Sequence, residues 1–154
     1  MKKLTDLRNH ILNNVPDLKK NPDKLLTFIE DGSIEYWQGP NLSHSYTIPA
    51  RIIVTDYTGD IDFLIVPILS WLSYREPGID PQNAISFEAE ILNNESWDLS
   101  VTVNITERVI VKTVPEGLDV QHVLPDPPLE MNDDAEWQII MDLHGLTEPV
   151  TSDD

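Results

Sequence analysis

Glu88 and Glu90 stand two apart in the run Ile85 to Ile91, and paired carboxylates are the groups that glycoside hydrolysis uses. Ser86, Glu88 and Glu90 also alternate with apolar residues, which describes the solvated face of a strand, with Arg51 or Arg108 as candidate counter-charges. Asp56, Asp60 and Asp62 surround Gly59 and suggest a calcium loop. Their spacing lacks the closing bidentate glutamate of an EF-hand, and turn formation with helix capping accounts for all three. His10, His44, His122 and His144 stand singly, without a second ligand at metal spacing. No nucleophile elbow, P-loop or dinucleotide glycine fingerprint is present, and there is no cysteine to serve as nucleophile or zinc ligand. The sequence therefore predicts no catalytic, cofactor-binding or metal-binding residue, and protein contact is the remaining activity.

The elements that would position such contacts follow from apolar periodicity. Leu4, Leu7, Ile11, Leu12 and Val15 recur at helical spacing and Pro16 closes the pattern, predicting an amphipathic helix over 3–15. Leu25 to Ile29 and Ile34 to Trp37 flank Asp31-Gly32 and read as a hairpin around a two-residue turn. In Ser45 to Thr55 the residues Tyr46, Ile48, Ala50, Ile52 and Val54 share one face. Pro49 lacks a ladder donor and should mark a bulge or a sheet edge. Asp60 is placed to cap a second helix, whose stripe Ile61, Leu64, Ile65, Ile68, Leu69 and Leu72 is widened by Phe63, Val66 and Trp71. Pro67 should bend this helix, and Pro77-Gly78 ends it.

Ile85, Phe87, Ala89 and Ile91 then alternate, Asn93-Asn94 turns, and Trp97, Leu99, Val101, Val103 and Ile105 alternate again, predicting a long antiparallel hairpin. Glu107 falls on the apolar face before Val109 and Val111, so a bulge is expected there. Pro115-Glu116-Gly117 turns into a short strand, Leu118 to Val123. The predicted class is α+β, a largely antiparallel sheet with two main helices packed on one face. It is organised as a domain over 1–123 and a Pro-rich acidic tail or docking arm over 124–154. Trp137, Ile139, Ile140 and Met141 form an apolar patch in that arm.

A chain of 154 residues suits one core. Its formal charge of −17 argues against phosphate binding, which depends on Lys and Arg replacing counterions, so no specific nucleic-acid binding is expected. Beyond Lys112 every charged residue is acidic. The longest apolar run, Phe63 to Leu69, falls far short of the roughly 20 residues a membrane-spanning helix requires, so no membrane association is expected. Asp6, Arg8, Asn9 and His10 interrupt what would be the apolar run of an export signal.

Four stretches carry a family resemblance: Ile53-Val54-Thr55-Asp56-Tyr57-Thr58-Gly59-Asp60, Val66-Pro67-Ile68-Leu69-Ser70-Trp71-Leu72, Ile85 to Asn94, and Asp98 to Val111. In this order, with the amphipathic start and the segment at 125–130, the chain resembles the phage tail completion protein R family (GpR-like) of peduovirus-type contractile-tailed phages and prophages. Pro49 and the residues past Asn132 depart from that pattern. The resemblance implies a structural, tail-terminator-like protein that caps the head-proximal end of the tail and prepares head–tail joining, with no catalytic residues to carry over. It implies the virion tail as location, after assembly in the host bacterial cytoplasm. The implied partners are tube or sheath proteins, head-neck proteins and, by analogy with ring-forming terminators, further copies in a homo-hexameric ring.

On this reading the expected interface residues are Phe63, Trp71 and Arg108 in the domain and Trp137, Ile139 and Ile140 in the arm. Two competing classes are an acidic adaptor or inhibitor that mimics DNA charge against a basic partner, and a hydrolase built on Glu88 and Glu90.

Overall fold

A computed structural model describes residues 1–37 and 39–124 of the chain. The order is α1 (Lys2–Asn14), α2 (Pro16–Lys20), a 3-10 turn (Pro22–Lys24), β1 (Leu25–Ile29), β2 (Ser33–Tyr36), β3 (His44–Tyr57), α3 (Asp62–Arg75), β4 (Ile85–Ile91), β5 (Trp97–Val114) and β6 (Gly117–Val123). Every strand pairing is antiparallel, as the α+β reading expected.

Two long strands, β3 and β5, form the centre of a curled sheet, in register from His44 opposite Val109 to Val54 opposite Leu99. Each is flanked by an interrupted edge. β1 and β2 lie end to end along β3, while β4 and β6 lie end to end along β5. The expected hairpin between β1 and β2 is therefore overturned, since both strands pair with β3 and not with each other.

The break explains Pro49. Asn104, opposite Pro49, gives its N–H to the carbonyl of Ala84 at 2.9 Å, so it faces away from β3. In an antiparallel non-hydrogen-bonded pair both residues face outward, so the Pro49 nitrogen points at the β1/β2 edge. Pairing there stops at Ile29 opposite Ala50 and resumes at Ser33 opposite Thr47, so the missing donor falls in the gap. Gly32 sits in the same gap, where an added Cβ would lie 2.9 Å from the Thr47 carbonyl oxygen. Asp31-Gly32 thus serves a close backbone approach and not a reversal.

One face of the sheet forms the core. Ile48, Ala50, Ile52 and Val54 of β3 and Leu99, Val101, Val103 and Ile105 of β5 are buried with Leu7, Ile11, Leu18, Leu64, Ile68 and Trp71 from the helices. α3 continues through Pro67, which is itself buried. At the entry to α3 the N-cap position falls on Ile61, and the Asp60 carboxylate just before it accepts the Asp62 N–H at 3.1 Å. The β4–β5 hairpin and the β6 strand form as predicted. The bulge expected at Glu107 is absent, and the register of β3 with β5 is unbroken there. It shifts instead between Val54 and Tyr57, next to Asp56, whose φ is 51°. Among the described residues no helix is long and apolar enough to cross a membrane.

Candidate assembly surface

The centre of the fold is fixed by a buried charge. α1 opens with Lys2 and Lys3, has no side-chain N-cap and carries no acidic residue in its first turn. Two cations at a helix N-terminus oppose the macrodipole, and the first backbone N–H groups need acceptors. Glu107 supplies both from β5. Its fully buried carboxylate accepts the N–H of Lys3 at 2.8 Å and that of Lys2 at 3.1 Å, and His122 of β6 pairs with the same group. Burial would raise the Glu107 pKa, but these N–H groups and His122 outweigh it and hold the carboxyl below its usual range.

The Lys3 ammonium is itself buried and paired with Glu76, at the end of α3. Glu76 in turn accepts the Thr106 N–H at 3.2 Å and the Thr106 hydroxyl at 2.7 Å. Its carboxylate therefore satisfies β5 where β4 has ended and β6 has not begun, continuing the edge that the Ala84 carbonyl starts at Asn104. One connected group of side chains joins α1, the end of α3, β5 and β6.

Beyond this group the sheet continues without helices above it. Register places Tyr36, His44, Val109 and His122 in one row on the core side, with Ile34, Tyr46 and Glu107 in the row before it. Val111 with Val120, and Thr113 with Leu118, extend the same face along the β5–β6 ribbon. Ile34 and Tyr36 are each 63% exposed, Leu118 57% and Val120 54%. A second apolar strip runs down edge strand β4, where Phe87 is 55% and Ile91 73% exposed on the face that alternation had marked as apolar.

The expected interface residues are scattered. Phe63 is half-buried in the first turn of α3. Trp71 is in the core, 2% exposed, and donates its Nε1–H to Asp6 at 2.8 Å. Arg108 is exposed on the face opposite the core, between Ser45 and Val123. Trp137, Ile139 and Ile140 lie outside the described residues. The bare face at Ile34, Tyr36, Leu118 and Val120 was missed. Its signal was in the sequence, because the Val111 and Leu118–Val120 alternation continues the apolar face past the reach of two short helices.

Catalytic geometry is not assembled at the carboxylate pair. Glu88 and Glu90 are exposed and lie opposite Ser100 and Asp98, and Arg51 donates to the Ser100 hydroxyl. The Asp56 N–H is bound by Asp98 at 2.8 Å, and Asp60 accepts the Asp62 N–H at the entry to α3, which uses these residues as turn formers. No group of three or more His, Asp or Glu suited to a metal ion occurs among the described residues.

Comparison with known proteins matches residues 1–127 to the model of a family described as P2 phage tail completion protein R (GpR). Tail completion protein R of Escherichia phage P2 is 38% identical over 135 residues, covering 84% of this chain and 87% of its own length. No solved structure matches.

Proposed function

The chain belongs to the P2 phage tail completion protein R family, a structural family of phage tail assembly and not of enzymes, and from that premise we propose that it closes the head-proximal end of the tail. In this reading copies of the chain form a sixfold ring that binds the last tube or sheath subunits on one face. The other face is presented to head-neck proteins.

The observation that carries it is the bare apolar end of the sheet beside two interrupted edges. A terminator needs contacts on a growing end without offering that end's own surface again, which calls for two different faces. Here the core-side face is apolar and uncovered at one end. The other face carries Arg51, Arg108, Glu88 and Glu90. Strand edges interrupted by Gly32 and by the Glu76 carboxylate cannot template an open-ended sheet, so growth by strand addition is limited.

Gold-labelled protein on purified tails, imaged by electron microscopy, tests the placement. Label at the head-proximal tip, together with headless particles when the protein is withheld, is the expected result. Label along the sheath or at the baseplate would overturn it. Light scattering tests the ring, whose mass should be six times the 17.5 kDa chain.

A further inference from the structure

We propose that the bare end of the sheet, lined by Ile34, Tyr36, Leu118 and Val120, receives residues Trp137 to Met141 of a second copy of this chain. The inference rests on the ring reading above and names the contact that would join neighbours.

The surface is apolar by construction. These four side chains continue the core face, where strand alternation puts them beside Val109 and Val111, yet each is more than half exposed. Apart from the buried Glu107, no Asp, Glu, Lys or Arg stands on the rows from Ile34 to Leu118. In a chain of net charge −17, two copies repel almost everywhere, so self-contact is favoured where neither side carries charge. Trp137-Gln138-Ile139-Ile140-Met141 is the matching uncharged stretch within an acidic segment. Uncovered apolar area of this kind on a protein surface marks a site that something else covers.

The direction of β6 selects a neighbour over the chain's own arm. β6 runs from Gly117 at the ribbon tip toward Val123, and Leu124 lines a surface hollow together with Met1, Lys2, Thr5 and Asp6 of the α1 start. The chain thus passes residue 124 heading away from the bare end. Pro125, Pro127 and Pro128 fix φ at three of the next four positions, which disfavours an immediate reversal. A dozen residues separate Leu124 from Trp137, and a chain of that length can span up to some tens of ångströms, enough to cross to an adjacent subunit. Head-to-tail exchange of one arm per subunit is a heterologous contact, and such contacts close into rings.

The chain has no cysteine, so a disulfide test is clean. Full-length Val120→Cys and Ile139→Cys proteins, mixed at equal concentration and mildly oxidised, should give a cross-linked heterodimer. The double variant should give a ladder of linked species. Glu88→Cys mixed with Ile139→Cys should not link, because Glu88 lies on the opposite face. Ile34→Asp with Val120→Asp changes only exposed positions and should keep the wild-type melting curve at dilutions where neither protein associates, while weakening self-association roughly 100-fold.

Only an intramolecular link in the double variant, no link at all, or equal linking through Glu88→Cys would overturn the proposal. So would normal association of the double-Asp protein. The tail-completion reading fails separately: a 120–139 cross-link in protein that does not label the tail tip would keep the contact and remove the capping role.

Discussion

The Glu107 carboxylate and the backbone N–H of Lys3 meet at 2.8 Å across 104 residues of chain. Through this contact a charge in the middle of the longest strand starts the first helix. A helix beginning Lys-Lys, with neither cap nor acidic first turn, has its N-terminal charge supplied from outside. Glu107 is fully buried, so losing it leaves two helix N–H groups and His122 without their acceptor. Glu107→Ala should lower unfolding free energy by about 3 kcal/mol, and Glu107→Gln, which keeps one acceptor oxygen, by about half that. Urea midpoints at constant m-value measure both, and a loss below about 1 kcal/mol for Glu107→Ala would contradict the capping role.

The Lys3–Glu76 pair is buried on both sides, with side chains 5% and 4% exposed. Removing either partner strands a charge in the interior. Lys3→Met should therefore cost about 3 to 5 kcal/mol, whereas Lys3→Met combined with Glu76→Gln should cost less than the sum of the two single changes. A double-mutant cycle in urea measures the coupling, and simple additivity would show that the pair does not act as a unit.

Acid should destabilise the protein in two steps. Burial holds the His10 pKa below its usual value, although its bond to the Pro67 carbonyl at 2.9 Å and the charge of Asp6 push the other way. The unfolded chain thus binds this proton first, and stability falls as pH drops through the ordinary histidine range. Glu107, also shifted down, stabilises the fold above the ordinary carboxylate range, and that contribution is lost as pH falls toward its folded value. Thermal melts from pH 8 to pH 3 should show both steps, with His10→Gln removing the upper one alone.

Gly59 packs on Tyr57, where an added Cβ would lie 2.7 Å from the hydroxyl oxygen and 2.9 Å from the ring carbon bearing it. The ring cannot easily withdraw, because Tyr57 is 1% exposed and its hydroxyl donates to the Asp60 carbonyl at 2.9 Å. Gly59→Ala should cost about 1 to 3 kcal/mol, and less in a Tyr57→Phe background, where the closest atom is gone. Equal penalties in the two backgrounds would place the strain elsewhere.

Much of this fold was legible in the residues. Period-two alternation marked β3 and β5, helical spacing marked α1 and α3, and Asn93-Asn94 and Pro115-Glu116 marked the turns, because each is a property of a few neighbouring positions. The placing of β1 and β2 was not legible. Asp31-Gly32 satisfies the local rule for a hairpin, and only the pairing of both strands with β3 shows that the chain runs on. For Phe87 and Ile91, alternation correctly gave the face they share but could not say how far the helices extend over it.

The sequence by itself determined the types of the longer elements, the faces they share, the acidity that disfavours phosphate partners and the family resemblance, but not the short helix α2 that begins at Pro16. Tertiary structure alone decided which strands are neighbours, why a glutamate is tolerated on the core face, and which apolar residues stay uncovered. The physical reason is range: periodicity and turn chemistry act over a few residues. A buried carboxylate is stable only when donors from α1 and a partner from β6 converge on it, and no local pattern records that convergence.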